Sequence, residues 1–402
     1  MITRRSTLLN ATLGGASLLL SSRAFAQQLA PQDSGPIRIG VLVPLTGAGG
    51  PYGPAEATVA KSVADEVNGR GGVLGRPVEI VVEDDATSPE AGVRAARKLI
   101  DVDKVVAICG TWASAVTTAV APLCWESRTM LLTVSGADSI TQLPHGGYIV
   151  RTQPNTVLQG HKFGEYLLEL GGKRVFVMAV QNPFTQSLFD SVKAGLAAGG
   201  GTAELLVYDD KKPSLRTEVD AALRFKPDAI LAGGYLPDTT VLLRDLARAS
   251  FDGKVLGFGY AINGKLVDAL PKEVTEGVYA MSPSPALGSP AYARVQAITK
   301  TESPDPYACQ VYDHVNLAML AMEAAKQATG TAIRDTVRTV CQGGGQAVTN
   351  YADGARALGA GGKIDYDGAS GPCDFTATGD VSNVQFRYEQ VKGGKLSLLK
   401  VA

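Results

Sequence analysis

The stretch VEIVVEDDATSPEAG, Val78 to Gly92, runs from an apolar, β-branched segment through three consecutive acids into a helix-opening pattern. The apolar part reads as a short strand. Ser88 stands where a side-chain oxygen can cap a helix, and Pro89 suits the first helical position. A strand, a turn and a helix follow one another with no hairpin signal, and parallel sheets are built from that unit. The acids Glu83, Asp84 and Asp85 then have two readings. As structural residues they complement a helix N-terminus and solvate a loop. As catalytic residues they would need a nucleophile or base, which must be sought elsewhere in the chain.

The same unit recurs on both sides. IRIGVLVPL (37–45) precedes a helix expected from Pro54 to Arg70, whose Ala57, Ala60, Ala64 and Val67 fall on one face. Pro89 to Ile100 is expected to be helical, KVVAICG (104–110) a strand, Ser114 to Trp125 a helix and TMLLTV (129–134) a fourth strand. The pattern restarts near Lys173 with RVFVMAV, AELLVYD, DAILAGG and KVLGFG, separated by helices from Thr185 to Ala198, through Phe225 and through Ala249. YIVRTQPNTVLQG (148–160) between the halves reads as a crossing segment. Two or three helices are expected from Ser289 to Val340 and should pack back onto the first half, and the tail from Lys363 is strand-rich with Gly turns. Two parallel α/β lobes joined by more than one crossing follow from this order.

The 402 residues, 45% hydrophobic and 19% charged, suffice for two packed domains. A formal charge of −1 without a basic tract gives no nucleic-acid footprint. No run of apolar residues after the first 26 is long enough to span a membrane, so no membrane insertion of the mature chain is expected. Residues 1–26 read as an export signal: a charged start with Arg4-Arg5, a weakly apolar Gly-containing core and a small-residue cleavage site after Ala26. Arg4-Arg5 with Leu8-Leu9 resembles a twin-arginine signal, the alternative being a general secretory one. A periplasmic location is expected. Five cysteines follow no metal spacing. Cys109 ends a strand and Cys124 ends the helix that follows it, which sets them too far apart to bond. Cys341 and Cys373, in Gly-rich segments, are the expected disulfide if one forms.

Catalytic patterns are missing. His145, His161 and His314 have no ligand spacing, and no GxSxG, GxxxxGK[ST] or strand-following GxGxxG occurs. GAGGPYG (47–53) fails as a phosphate loop because Pro51 and Tyr52 occupy the place where the backbone should wrap an anion. The acids are therefore read as strand-end chemistry, and neither an enzyme nor a cofactor is expected.

The chain resembles the leucine/isoleucine/valine-binding protein family, the extracytoplasmic solute receptors of ABC importers with a type I periplasmic-binding fold. The resemblance is carried by IRIGVLVPLTG, by PYGPAEATVAKSVADEVNGRGGVLGRPVEIVVEDDATSP, by KVVAICGTWASAVTTAVAPL, by GGYLPD and by YDGASGPCDFTATGDV. It implies two doubly wound parallel-sheet lobes, residues 36–154 with 284–380 and 155–283 with 381–402, joined by three hinge crossings. It also implies a small-molecule ligand held in the cleft, a monomer, and delivery to an ABC permease in the inner membrane. On the family's pattern Ser114 caps a helix and holds the ligand carboxylate, although an N-cap role alone would also place a Ser there. Ser135, Gly136 and Ala137 in TVSGADSIT (133–141) fall on the second anion-holding turn, which is one residue shorter than the family's usual pattern. Phe184 stands where the family commonly has a Tyr, and GGYLPD supplies Tyr235.

The family's acidic partner for an amino-acid ammonium should fall within GFGYA (257–261), which holds Gly259 and Tyr260 and no acid. Burying an unpaired ammonium costs on the order of several kcal/mol. The expected ligand is a small organic acid without an amine, with an amino acid as the alternative. Tyr52, Trp112, Phe184, Tyr235 and Tyr260 would line an aromatic cleft, each having core or rim packing as its plainer reading. A ligand sensor of the same fold and a secreted hydrolase using Asp84 and Asp85 are competing functions. The sensor would ordinarily carry a membrane span or signalling domain, and the hydrolase lacks a visible nucleophile–base pair.

Overall fold

A computed structural model describes residues 35–402; the export-signal reading of residues 1–26 lies outside them. Strand β1 (Ile37–Val43) lies inside the first sheet, paired in parallel with the edge strand β2 (Val78–Asp84) and with β3 (Ala107–Gly110). Helix α1 (Gly53–Asn68) connects the first two strands, and α2 (Pro89–Arg97), prolonged by a π-helical turn over Lys98–Val102, leads to the third. As the sequence suggested, Ser88 accepts from the Ala91 amide at the start of α2. Helix α3 (Ser114–Glu126), β4 (Met130–Thr133), the short α4 (Ser139–Gln142) and β5 (Ile149–Arg151) complete an all-parallel sheet of order β2-β1-β3-β4-β5.

The second sheet repeats this winding. It is built from α5 (Thr156–Glu169), β6 (Arg174–Val180), α6 (Pro183–Ala197), β7 (Thr202–Tyr208), α7 (Arg216–Arg224), β8 (Ala229–Gly233) and α8 (Leu236–Arg248). β9 (Lys254–Phe258), α9 (Gly264–Ala269), α10 (Lys272–Thr275) and β10 (Tyr279–Pro283) follow. The chain then returns to the first lobe with α11 (Pro290–Thr299), α12 (Pro306–Ala325), α13 (Gly330–Cys341), β11 (Gln346–Val348), α14 (Tyr351–Gly359) and β12 (Ile364–Tyr366). α12 packs on α1 and β3, as the order of elements required, and is buried on every face from Tyr307 to Met322. The last two strands, β13 (Phe386–Lys392) and β14 (Lys395–Val401), join the second sheet, whose order is β14-β13-β10-β9-β8-β6-β7. They pair antiparallel, so this sheet is mixed rather than purely parallel. Gly393 and Gly394, with φ of 60° and 75°, make the two-residue hairpin turn that matches strand twist.

The chain thus passes between the lobes three times: after β5, after β10 and before β13. Arg151, fully buried at the end of β5, anchors the first crossing. Its guanidinium pairs with Asp380 at 2.5 Å and donates to the Ala137 carbonyl at 2.6 Å and the Thr141 hydroxyl at 2.9 Å. The expected Cys341–Cys373 bridge is not formed: all five cysteines are free and buried. Each of the two thiols turns to a carbonyl of its own segment, Cys341 to Val337 at 3.0 Å and Cys373 to Gly371 at 3.6 Å.

Candidate functional site

Both sheets have the strand order of a doubly wound fold, and in such folds ligands sit beyond the carboxyl ends of the strands where the order reverses. Here the carboxyl ends of the two sheets face one another, and the turns that leave them line a cavity that is partly open to solvent. From the first lobe come Trp112, Ala113 and Ser114 after β3, Val134 and Gly136 after β4, and Gln153 after β5. From the second come Asn182 and Phe184 after β6, Tyr235 after β8 and Tyr260 after β9. Tyr307, at the start of α12, closes the wall.

The turn after β3 is set by backbone strain. Gly110 and Thr111 both have positive φ, 103° and 53°, and a β-branched residue rarely adopts that region. Three hydroxyls converge on the Thr111 carbonyl and hold it there: Ser135 at 2.5 Å, Thr133 at 2.9 Å and Thr117 at 3.0 Å. This turn aims Trp112 into the cleft and starts α3 at the cavity wall. Among the described residues no side chain caps α3. The amides of its first turn therefore remain available at the positive end of the helix dipole. The Ser114 hydroxyl instead accepts from the Ala137 amide at 3.1 Å, drawing the β4 turn against the helix start.

The sequence-derived residues divide accordingly. Ser114, Gly136, Trp112, Phe184, Tyr235 and Tyr260 meet at the cavity. Ser135 and Ala137 do not: the Ser135 hydroxyl serves the Thr111 and Trp112 carbonyls, its amide donates to Thr133, and the Ala137 amide is spent on Ser114. Tyr52 stands behind Trp112, stacked at 5.6 Å between centroids, and faces a neighbouring groove. Gln153, Asn182 and Tyr307 were missed. Asn182 caps α6 by accepting from the Thr185 amide at 2.9 Å, and QNPFTQS could have suggested that cap; its nitrogen reaches toward the Tyr235 hydroxyl at 3.5 Å. Gln153 accepts from Gln310 at 2.8 Å, a long-range pairing with no sequence signal.

Aromatic rings dominate the walls. Trp112 lies 5.6 Å from Tyr235, 5.5 Å edge-on from Tyr260 and 5.8 Å edge-on from Tyr307, and Phe258 stacks on Tyr260 at 5.0 Å. Burial raises the pKa of each lining phenol: Tyr235 is pushed up to about 12, and Tyr260 and Tyr307 go well above the ordinary value. All three are neutral hydrogen-bonding groups at any physiological pH. Among the described residues none of the side chains lining the cavity carries a charge.

The acids of the opening stretch are elsewhere. Asp84 accepts from the Leu45, Thr46 and Ala86 amides and the Thr46 hydroxyl. Burial opposes its ionisation, but these bonds outweigh it and hold the carboxyl below its ordinary range. Asp85 is buried and pushed up to about 6, mainly by desolvation, while accepting from the Thr87 amide. Asp84 ties the turns after β1 and β2 together, Asp85 braces its own turn, and neither lines the cavity. Deeper still, Glu56 in the first turn of α1 is fully buried, with neither carboxyl oxygen partnered among the described residues. Desolvation first, then Asp305 and Asp85, raise its pKa well above the ordinary value.

Residues 36–394 match the family model described as periplasmic binding protein. The chain is 28% identical over 330 residues to the Leu/Ile/Val-binding protein BraC3 of Rhizobium johnstonii, covering 79% of this chain and 87% of that one. In three dimensions it is similar to a leucine-binding protein of Thermotoga maritima, at TM-score 0.78 and 23% identity over 91% of this chain and 98% of that one. It is likewise similar to an ABC-transporter solute-binding protein from R. palustris in complex with benzoate, at TM-score 0.74 and 20% identity over 91% and 96% of the two chains. The chain belongs to the periplasmic binding protein family, whose members are solute-binding proteins and not enzymes, and it has the type I fold.

Proposed function

We propose that this protein is the extracytoplasmic receptor of an ABC importer of the branched-chain amino acid type and that its ligand is a small aromatic acid without an amine. One observation carries the reading: a cavity walled by Trp112, Phe184, Tyr235, Tyr260 and Tyr307, with no charged side chain and an uncapped helix N-terminus at one wall among the described residues. A carboxylate gains amides and a positive dipole end there. An α-ammonium gains no counter-charge and loses its hydration, at a cost on the order of several kcal/mol. The benzoate complex of the R. palustris relative supports this choice, whereas the name of the R. johnstonii relative points to amino acids.

On this reading Ser114 and the Gly136 amide hold the carboxylate while the rings of both lobes sandwich the body of the ligand. The moving units are residues 36–154 with 284–380 and residues 155–283 with 381–402. Ligand contacts to both lobes favour the closed form, since a ligand touching one lobe alone shifts nothing. The closed monomer, exported to the periplasm by its twin-arginine signal, then delivers the acid unchanged to an inner-membrane permease. Calorimetric titration of protein unfolded and refolded to strip any carried ligand tests the reading, with benzoate, 4-hydroxybenzoate, L-leucine and L-phenylalanine as titrants. Micromolar or tighter binding of an aromatic acid is expected, and tight leucine binding with no heat from either aromatic acid overturns it.

A further inference from the structure

We propose that Tyr52 is a latch across the lobes, a positioning residue that sets how long the cleft stays shut without touching the ligand; the proposal rests on the receptor reading above. Tyr52 stands just before α1 in the first lobe and is 8% exposed. Its hydroxyl donates to the Tyr260 carbonyl and accepts from the Asn263 side-chain amide at 2.9 Å, and both partners belong to the second lobe. Asn263 also donates to the Tyr260 carbonyl at 3.1 Å, so the three groups close a small ring of bonds across the cleft. The Tyr52 ring, by contrast, packs within its own lobe, stacked on Trp112 at 25° between planes and edge-on to Tyr307 at 5.4 Å.

This division of labour separates the latch from a ligand contact. Opening the lobes breaks both hydroxyl bonds but leaves the ring packing intact. Tyr52 and Asn263 do not line the cavity and face a groove of about 1060 Å³ that they share with Asp305. A ligand leaves only when the lobes part, so bonds broken on opening slow dissociation and leave capture by the open form alone.

Tyr52→Phe keeps the ring and removes both bonds. The loss of two neutral hydrogen bonds leads us to expect dissociation faster by about tenfold or more. The measurement is stopped-flow tryptophan fluorescence with benzoate as the probe, alongside thermal unfolding of the ligand-free protein. Support is faster dissociation at unchanged association rate and unchanged ligand-free melting temperature. Equal dissociation rates overturn the latch, as does a loss of affinity that merely follows a lowered melting temperature. If the wild type ignores benzoate and 4-hydroxybenzoate, the ligand reading fails on its own. The latch is then read by the same stopped-flow comparison with L-leucine, the amino-acid alternative, as the probe: faster dissociation from Tyr52→Phe supports it, and equal rates overturn it.

Discussion

Adding one methyl group at Gly136 should jam closure while leaving each lobe intact. A Cβ built there would lie 2.8 Å from Cε2 of Phe184 and 2.8 Å from Nε2 of Gln159. Ordinary van der Waals contact begins at about 3.4 Å, so both approaches are too close by roughly half an ångström. Neither neighbour yields freely. Phe184 is pinned edge-on against Phe258 at 5.3 Å, and the Gln159 amide is held by the Pro154 carbonyl at 2.6 Å. Gly136 itself is not at positive φ, so Ala brings no backbone penalty. Overpacking of this kind costs about 1–3 kcal/mol. Because Phe184 belongs to the opposite lobe, most of that cost falls on the closed form and should appear as roughly 5- to 150-fold weaker binding. The Gly136 amide survives, so the loss is not that of an anion contact. Calorimetry with benzoate gives the affinity, and thermal unfolding of the ligand-free variant should stay within about 2 °C of the parent. Pairing Gly136→Ala with Phe184→Leu should recover part of the loss, a non-additivity that marks direct contact. Unchanged affinity in the single variant would refute the reasoning, because the two lobes would then not meet at these residues.

Further expectations concern the wall, the hinge and a buried acid. Tyr235→Ala removes a ring that meets Trp112 at 5.6 Å and should weaken binding at least about tenfold without altering the ligand-free fold; equal affinity in titration would remove Tyr235 from the site. Asp380→Asn strips the counter-charge from fully buried Arg151 and should cost about 3 kcal/mol in urea unfolding, a loss below about 1 kcal/mol counting against the hinge anchor. Glu56 has a folded-state pKa raised well above its ordinary value, chiefly by burial. The folded protein therefore holds a proton that the unfolded chain releases, and stability falls as pH rises above the ordinary glutamate range. Glu56→Gln should leave the melting temperature unchanged near pH 4 and raise it increasingly toward pH 8; a shift independent of pH would contradict the buried-acid assignment.

Much of the architecture was legible because local chemistry and global fold agree. The strand, Ser cap and Pro at Val78 to Gly92 specify a βα unit by themselves, and its repetition specifies the sheets. Where tertiary pairing decides, the chain gives less away. The short α4 and α14 have weak patterns, and the antiparallel β13 and β14 complete a sheet whose other strands lie more than a hundred residues upstream. At the site, Ser114, Trp112 and Tyr235 could be placed because strand-end turns feed the cleft. Ser135 and Ala137 could not be told from Gly136, since the deciding fact is which amide the hydroxyls of Thr133 and Ser114 consume. Tyr52, expected to line the aromatic cleft, stands behind Trp112 instead, and only the crossing bonds to Tyr260 and Asn263 distinguish a latch from a wall.

The most telling measurement uses ligands that differ by one group. 3-Phenylpropanoate and L-phenylalanine share ring, chain and carboxylate and differ in the α-ammonium, as do 4-methylpentanoate and L-leucine. Calorimetry of each pair on the stripped protein reads directly how the uncharged cleft treats a buried cation. Within each pair the acid lacking nitrogen should bind at least about tenfold tighter, a difference of about 1.4 kcal/mol. Tighter binding of both amino acids would mean that the cleft supplies a counter-charge where its lining has uncharged side chains, and the assignment of its cargo would be wrong.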